Sequence, residues 1–427
     1  ITGLVAAATL KKVGHRVSLF DKSARAGGNI HTAQMGKYRL ELGPNSLVLN
    51  DGLYDFFEEW GLTDQIETAQ ETAKYRFILR EGRYQKLPTG PLSLLFGRTF
   101  SWSAKRALLK ERNKPAQEIE HETIDAFFRR RLNDEWTDYA VYPFISGVFA
   151  GNPAQLLIAE AFPRIKRMEA DHGSLLRGMS ASRKTQQHRG TISLKEGVGQ
   201  MTDRLIAFLG EDVHTGHALS GIKIEDHGVA LDFDGKWVNA DKVLLALPAY
   251  VLADVLKDSF GDVAEALAQI EYPSVSMVFS AFKKADVQGD VAGFGALHNH
   301  LEGAFTLGTI YNSSVFPGRC PKDEVLFTTF VGGAKFGDRA NLPDQELKEG
   351  VNQDLAKYLS VKGEPVFQHI QRWPKAIPQY TTSILPSREA IKALPPQLKL
   401  GGNWIGGISV PDSIQSGLKV ANEWIEE

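Results

Sequence analysis

Apolar positions along the chain alternate between a strand rhythm and a helix rhythm. Residues 4–13 are rich in Ala and Leu and end at Gly14, which predicts a short helix closed by a glycine. Residues 16–20 alternate and finish in apolar and aromatic side chains, the pattern of a buried strand that stops at Asp21. Residues 53–61 set Leu53, Phe56, Phe57 and Trp60 on one face of an amphipathic helix. Residues 74–82 predict a strand with Arg76 and Ile78 on one side and Phe77 and Leu79 on the other. Between 87 and 179 the rhythm becomes helical, with helices expected over 101–113, 123–132 and 153–161. Strand signals resume at 191, followed by a helix at 202–209, a strand at 212–214, a meander through 222–224 and 229–233, and an apolar strand at 243–247. A second sheet is expected from 274–282, 307–312 and 325–331, and the chain returns through 398–407 to a helix at 412–424. A chain that leaves one sheet, builds another and comes back describes interleaved domains.

Composition narrows the classes. The 427 residues suffice for two or three domains, and 23% charged with 43% hydrophobic residues describes an ordinary globular protein. A net charge of −2 gives no footprint for nucleic acid. The single cysteine, Cys320, excludes an internal disulfide and Cys-rich metal sites, and the eleven histidines show no H-E-x-x-H spacing, so no metal is predicted. No uninterrupted apolar run reaches the roughly 18 residues that a single spanning helix needs.

The chemistry concentrates near the amino terminus. Asp21 ends its strand at the sheet edge, where a carboxylate can accept hydrogen bonds from a dinucleotide ribose. Arg25, Gly27 and Gly28 follow, a cation beside backbone that can approach a pyrophosphate. Glu41-Leu42-Gly43-Pro44-Asn45 forms a tight turn. The opening Ile1-Thr2-Gly3-Leu4 resembles the tail of a G-x-G-x-x-G fingerprint, with Gly3 its last glycine, so the first strand and two phosphate-facing glycines are expected to be missing from the chain as given. Residues 398–407 again offer a strand, paired glycines and a helix N-terminus for an anion. Arg76 must meet an acid or an anionic ligand, and periodicity alone favours an internal salt bridge. The apolar 91–97, then Phe100, Trp102, Lys105, Arg106, Lys110 and Arg112, suit either a membrane interface or a packing helix with a solvated basic face. The glycine-rich 141–151 suits a flat ligand or a helix bend.

The order Asp21, Arg25, Gly27, Gly28, Thr32 and then the Glu-Leu-Gly-Pro turn resembles the second fingerprint of the flavin-dependent amine oxidase and protoporphyrinogen oxidase superfamily. Leu87-Pro88-Thr89-Gly90, residues 147–153, 293–297, 307–311, 328–333, 377–380 and 401–417 are similar to the oxygen-dependent protoporphyrinogen oxidases within it. The resemblance implies an α/β fold in three parts: a Rossmann-like FAD-binding domain (1–73, 190–262 and 395–427), a mixed-sheet substrate domain (74–86 and 263–394) and a mostly helical membrane-associated domain (87–189). It implies that FAD is held by Gly3, Asp21, Lys22, Arg25, Gly27, Gly28, Gly43, Pro44, Asn45, Val213, Trp373, Gly402 and Val410.

For the substrate, the resemblance replaces the salt-bridge reading of Arg76 with a contact to a propionate of a tetrapyrrole. It sets Phe294 and Leu297 about a pyrrole ring, Phe330 in the same pocket, the Gly147 backbone near the macrocycle N–H groups, and Asn45 near both flavin and substrate. The implied activity is the six-electron oxidation of protoporphyrinogen IX to protoporphyrin IX with molecular oxygen, in haem or other tetrapyrrole biosynthesis, and no catalytic side chain is assigned. Oxidation of coproporphyrinogen III to coproporphyrin III stays open, with Lys74 and Arg80 near for extra carboxylates. A flavin amine oxidase stays open as well, although Ser409-Val410-Pro411 offers no aromatic cage, as does a porphyrin carrier without turnover. The expected setting is peripheral contact with a membrane, the cytoplasmic face of a bacterial inner membrane or an organelle membrane if a targeting peptide has been removed. A hand-over to the next enzyme and a homodimer are open, and no nucleic acid is expected.

Overall fold

The computed structural model describes residues 1–182 and 187–427, so 183–186 of the expected helical domain lie outside the described residues. Helix Thr2–Lys12 packs against both helix Val410–Glu426 and helix Gln200–Leu209. Two parallel strand pairs frame that region. Leu19–Asp21 runs beside Val213–Thr215, and Val243–Leu245 beside Leu398–Leu400. The first pair is shorter than the expected strand at 16–20 and only half-buried, because its ladder extends no further than the three residues of its partner. The remaining pieces are a hairpin, Thr32–Met35 with Tyr38–Glu41, a small sheet in which Gly190–Leu194 lies between Leu47–Leu49 and Ile66–Thr68, and the expected meander, Gly221–Glu225, Gly228–Phe233 and Lys236–Ala240.

Local signals start the helices where the sequence predicts them. The Asn50 side chain accepts from the Leu53 amide at 2.8 Å and begins helix Asp51–Glu59, whose Leu53, Phe56 and Phe57 are buried. Ser409 and Asp412 form a capping box at the start of helix Val410–Glu426.

A seven-stranded mixed sheet dominates the rest. Its order is Phe367–Trp373, Val275–Lys283, Glu324–Gly332, Gly308–Ile310, Gly295–Leu297, Arg76–Arg80 and Arg83–Lys86, and only the Gly295–Leu297 and Arg76–Arg80 pair is parallel. Because side chains alternate along each strand, the register assigns faces. Phe77, Ala296, Thr329 and Val278 fall on one face, where Phe77, Ala296 and Val278 join Leu347, Val351, Leu355 and Leu359 of helix Asp344–Leu359 in a buried core. The opposite face carries Arg76, Ile78, Leu297, Phe330, Met277 and Phe279, and its far end packs on Tyr38, Leu40 and Leu42 of the hairpin region.

The helical lobe is held by ion pairs as much as by apolar contacts. Arg131 has no exposed surface and bonds Glu111 and Glu169; Arg130 bonds Glu122 and Glu169; Arg129 bonds Asp125, Asp134 and Asp138. Removing one partner of the fully buried Arg131–Glu111 pair costs roughly 3–5 kcal/mol. Here the structure corrects three expectations. The helix at 153–161 shrinks to Ile158–Ala161, because Asn152 folds 152–156 into a turn and Leu157 bridges to Thr123. Phe100 is buried, 3% exposed, and stacks on Trp136 at 3.9 Å rather than facing out. Lys105 is buried too, donating to the Leu95 and Gly97 carbonyls, so it does not belong to a solvated basic face. Among the described residues no helix is long and apolar enough to cross a membrane.

Candidate active site

On the nucleotide side, Asp21 sits at the C-terminal end of its parallel strand and accepts from the Ser23 amide at 2.9 Å, with Lys22 exposed beside it. Gly27 and Gly28 both adopt positive φ, 116° and 62°, and the space beside Gly28 is open. Arg25 folds back over this loop, donating to the Ala26 carbonyl at 3.0 Å, the Thr202 hydroxyl at 3.3 Å and the Ile30 carbonyl. Gly3 lies within van der Waals reach of Ala246, and Thr2 donates to the Ser413 carbonyl at 3.0 Å, which brings the chain's start to the N-terminus of the helix that opens with Val410. Gly402, at φ 131°, packs beside the Leu247 carbonyl, to which buried Trp404 donates at 3.1 Å. Val213 lies opposite Leu19 in the parallel ladder.

The Gly43-Pro44-Asn45 turn joins the two halves. A Cβ on Gly43 would collide with the Asn29 carbonyl oxygen, so the turn and the strand lead-in must touch backbone to backbone. Trp373, at the end of the sheet's edge strand, donates to the Leu42 carbonyl at 3.0 Å. Asn45 accepts from Asn312 at 3.1 Å, and Asn312 in turn accepts from Thr328 at 2.8 Å. The turn is thereby tied to the substrate sheet.

Sequence reasoning assigned no role to the group beneath this turn. Glu41, 3% exposed, accepts from the Thr32 hydroxyl at 2.6 Å and the Val198 amide at 3.1 Å, while Thr32 accepts from the Gly199 amide at 2.8 Å. Arg319, equally buried, lies 3.4 Å from Glu41 and donates to Ser193 at 2.7 Å. Burial pushes the Glu41 carboxyl up, against the pull of Arg319 and Thr32. A carboxylate in the Glu-Leu-Gly-Pro turn was the available signal, but two of its partners, Val198 and Arg319, lie more than 150 positions away.

On the substrate side, the structure gathers the predicted residues on one sheet face. Arg76 pairs in register with Gly295, and Ile78, Leu297, Gly308 and Phe330 form the next row across four strands. Phe294 donates its amide to the Tyr75 carbonyl at 2.8 Å, which sets its ring 5.1 Å from the Arg76 guanidinium carbon. Gly147, on helix Tyr142–Phe149, is so close that a Cβ there would stand 2.5 Å from Leu297 Cδ2.

Among the described residues no carboxylate lies within salt-bridge distance of Arg76, so the internal salt bridge favoured by periodicity is absent. Its side chain is open to solvent on one side, yet partial desolvation still lowers its pKa. The neighbouring cations are engaged. Lys74 bonds Glu71 at 3.0 Å, and Arg80 bonds Glu135 at 2.8 Å and the Thr99 carbonyl at 2.6 Å while lying over Tyr139.

Parallel strands, a glycine loop at positive φ with open space beside it, an acid at the strand edge and a second sheet facing them define a dinucleotide-dependent oxidoreductase. Residues 1–425 match the family described as flavin containing amine oxidoreductase, and the chain belongs to that family. FAD is its cofactor, and the open backbone at Gly28 and the strand-end carboxylate of Asp21 fit such a ligand. The chain is 32% identical to the chloroplastic protoporphyrinogen oxidase of Oryza sativa subsp. japonica, covering 99% of this chain and 86% of that protein. It is 26% identical to the coproporphyrinogen III oxidase of Bacillus subtilis, covering 98% and 94%. A crystal structure of a putative protoporphyrinogen oxidase from Exiguobacterium shares the fold at a TM-score of 0.82 with 24% identity, covering 100% of this chain and 97% of that one.

Proposed function

We propose that the protein oxidises protoporphyrinogen IX to protoporphyrin IX, with dioxygen as the final acceptor. The observation that carries this reading is Arg76, a cation with no acid in reach among the described residues, on the sheet face whose next row carries the apolar Leu297 and Phe330. Such a face suits a flat apolar ring that carries an anionic tail. FAD supplies the redox chemistry, taking two electrons per cycle and passing them to oxygen. The chain's own residues bind and orient. Arg76 receives a propionate through a charge-assisted pair. Phe294 and Leu297 confine a pyrrole ring, Phe330 extends the apolar wall, and the missing side chain at Gly147 lets Leu297 pack directly against that helix.

Coproporphyrinogen III, with its additional propionates, is the second reading, favoured by the Bacillus subtilis relative. The engagement of half-buried Arg80 with Glu135 and the Thr99 carbonyl weighs against it, since that cation is already taken. Protein reconstituted with FAD and offered each porphyrinogen under air decides the matter by porphyrin fluorescence. The reading expects faster turnover of protoporphyrinogen, and preference for coproporphyrinogen overturns that choice of substrate.

The reading includes peripheral membrane contact through the helical lobe. Phe96, Leu92 and Trp102 are 78%, 73% and 70% exposed beside Arg106 and Lys110, an arrangement suited to an interface rather than to a core. Flotation with anionic vesicles tests this contact, and loss of co-flotation in a Leu92→Ser, Phe96→Ser, Trp102→Ser variant is the expected result. Wild-type protein that stays at the bottom of the gradient contradicts it.

A further inference from the structure

Behind the substrate face runs a buried polar string that the proposed reaction does not use. Tyr84 and His298 Nε2 lie 2.6 Å apart; His298 Nδ1 lies 2.8 Å from the Thr306 hydroxyl and 3.1 Å from the Thr306 carbonyl; the Thr306 hydroxyl is 2.8 Å from Asp354 Oδ2, which also accepts the Thr306 amide at 2.9 Å. One assignment satisfies every group: Tyr84 donates to Nε2, the Nδ1–H donates to Thr306, and the Thr306 hydroxyl donates to Asp354. That assignment needs a neutral imidazole, which burial favours.

The string links three elements that already meet, two through the sheet ladder and the helix through the apolar core, and adds a polar tie among them. Tyr84 comes from the outer strand Arg83–Lys86, His298 directly follows Leu297, and Asp354 belongs to helix Asp344–Leu359. The residue before His298 is the one that Gly147 touches and that stands in the row with Phe330. The His298 amide also donates to the Leu307 carbonyl at 2.9 Å, and the Leu307 amide to the Phe330 carbonyl at 2.8 Å, so the string attaches where the backbone closes the hairpin that carries Leu297. The ladder sets Leu297 against Phe330, and the string anchors the next residue on the opposite face of the sheet.

We infer that Tyr84, His298, Thr306 and Asp354 are positioning residues that fix Leu297 and thereby set how tightly the site holds its macrocycle. This rests on the proposed porphyrinogen site. Uniform loosening of a binding wall raises KM and leaves kcat.

The test compares Tyr84→Phe and Thr306→Val with wild-type holoenzyme on protoporphyrinogen, with Thr306→Ser as the conservative variant and Leu347→Ala as a buried apolar control on the same helix as Asp354. Removing one buried hydrogen bond is expected to raise KM about fivefold, with kcat within about twofold and FAD content unchanged. Thr306→Ser should keep the wild-type KM, and Leu347→Ala should lower Tm without raising KM. Unchanged KM in Tyr84→Phe and Thr306→Val overturns the inference, as does an equal rise in Leu347→Ala, which would mean general loosening. Should Thr306→Val fail to fold, Tyr84→Phe, which removes one hydroxyl, decides alone. Wild-type protein that turns over no porphyrinogen defeats the proposed function instead, before any variant is compared.

Discussion

Replacing Arg76 by Ala separates a ligand anchor from a structural ion pair. Among the described residues no carboxylate reaches its guanidinium, and its aromatic partner is Phe294 at 5.1 Å. Loss of such an exposed cation–π contact costs about 0.5–1 kcal/mol, so the Arg76→Ala protein should fold, bind FAD and lose only a degree or two in Tm. The effect on substrate is larger. A charge-assisted hydrogen bond contributes about 1.5–3 kcal/mol, which converts to a fall in kcat/KM of about 10- to 150-fold. Arg76→Lys keeps the charge without the planar fork and should fall between the two. Porphyrin fluorescence gives kcat/KM, flavin absorbance gives cofactor content, and thermal melts give stability. The reasoning is refuted if Arg76→Ala retains kcat/KM within about twofold, or if its Tm collapses by many degrees, which would reveal a structural role.

Three other outcomes follow from single contacts. Gly43→Ala forces a Cβ into the Asn29 carbonyl, so it should purify with little FAD or fail to fold; a flavin-to-protein ratio near wild type counts against that close approach. Gly147→Ala presses Leu297 Cδ2, the movable end of a side chain, and should raise KM severalfold while leaving Tm nearly intact; unchanged KM argues against that wall of the site. The helical lobe should loosen in acid before the rest. Burial pushes Glu111, Glu135 and Glu169 up, but hydrogen bonds from Arg131, from Ser101 and Arg80, and from Arg130 and Lys166 outweigh it and hold all three below the ordinary range. Depressed carboxyl pKa values give stability that is complete above the unfolded value of about 4.3 and lost as pH falls through the folded values. Proteolysis mapped between pH 5 and pH 3 should therefore cut this lobe first, and uniform cleavage contradicts the assignment.

Much of the site's chemistry was legible because local rules carry it. Alternation alone gave the face of Arg76 relative to Phe77, and the register confirms that phase. It could not say what Arg76 meets, since the absence of an acid is a property of the assembled sheet. Strand Phe367–Trp373 escaped notice because its Gln368, His369, Gln371 and Arg372 place polar groups on both faces of an edge strand, erasing the alternation. The turn at 152–156 read as helix because the side-chain bond from Asn152 that breaks the periodicity has no apolar signature. Phe100 looked exposed because its stacking partner, Trp136, lies beyond two intervening helices, Trp102–Glu111 and Ile124–Arg131. Glu41 and Arg319 could be paired only by folding.

The central claim is that FAD in this chain takes electrons from a reduced tetrapyrrole held by Arg76. Anaerobic mixing of FAD-loaded protein with protoporphyrinogen, followed by flavin absorbance, tests it most directly. The account predicts bleaching of the oxidised flavin, recovery and porphyrin fluorescence once air is admitted, and much weaker bleaching in Arg76→Ala at limiting substrate. A flavin that stays oxidised with protoporphyrinogen but bleaches with a primary amine would contradict it.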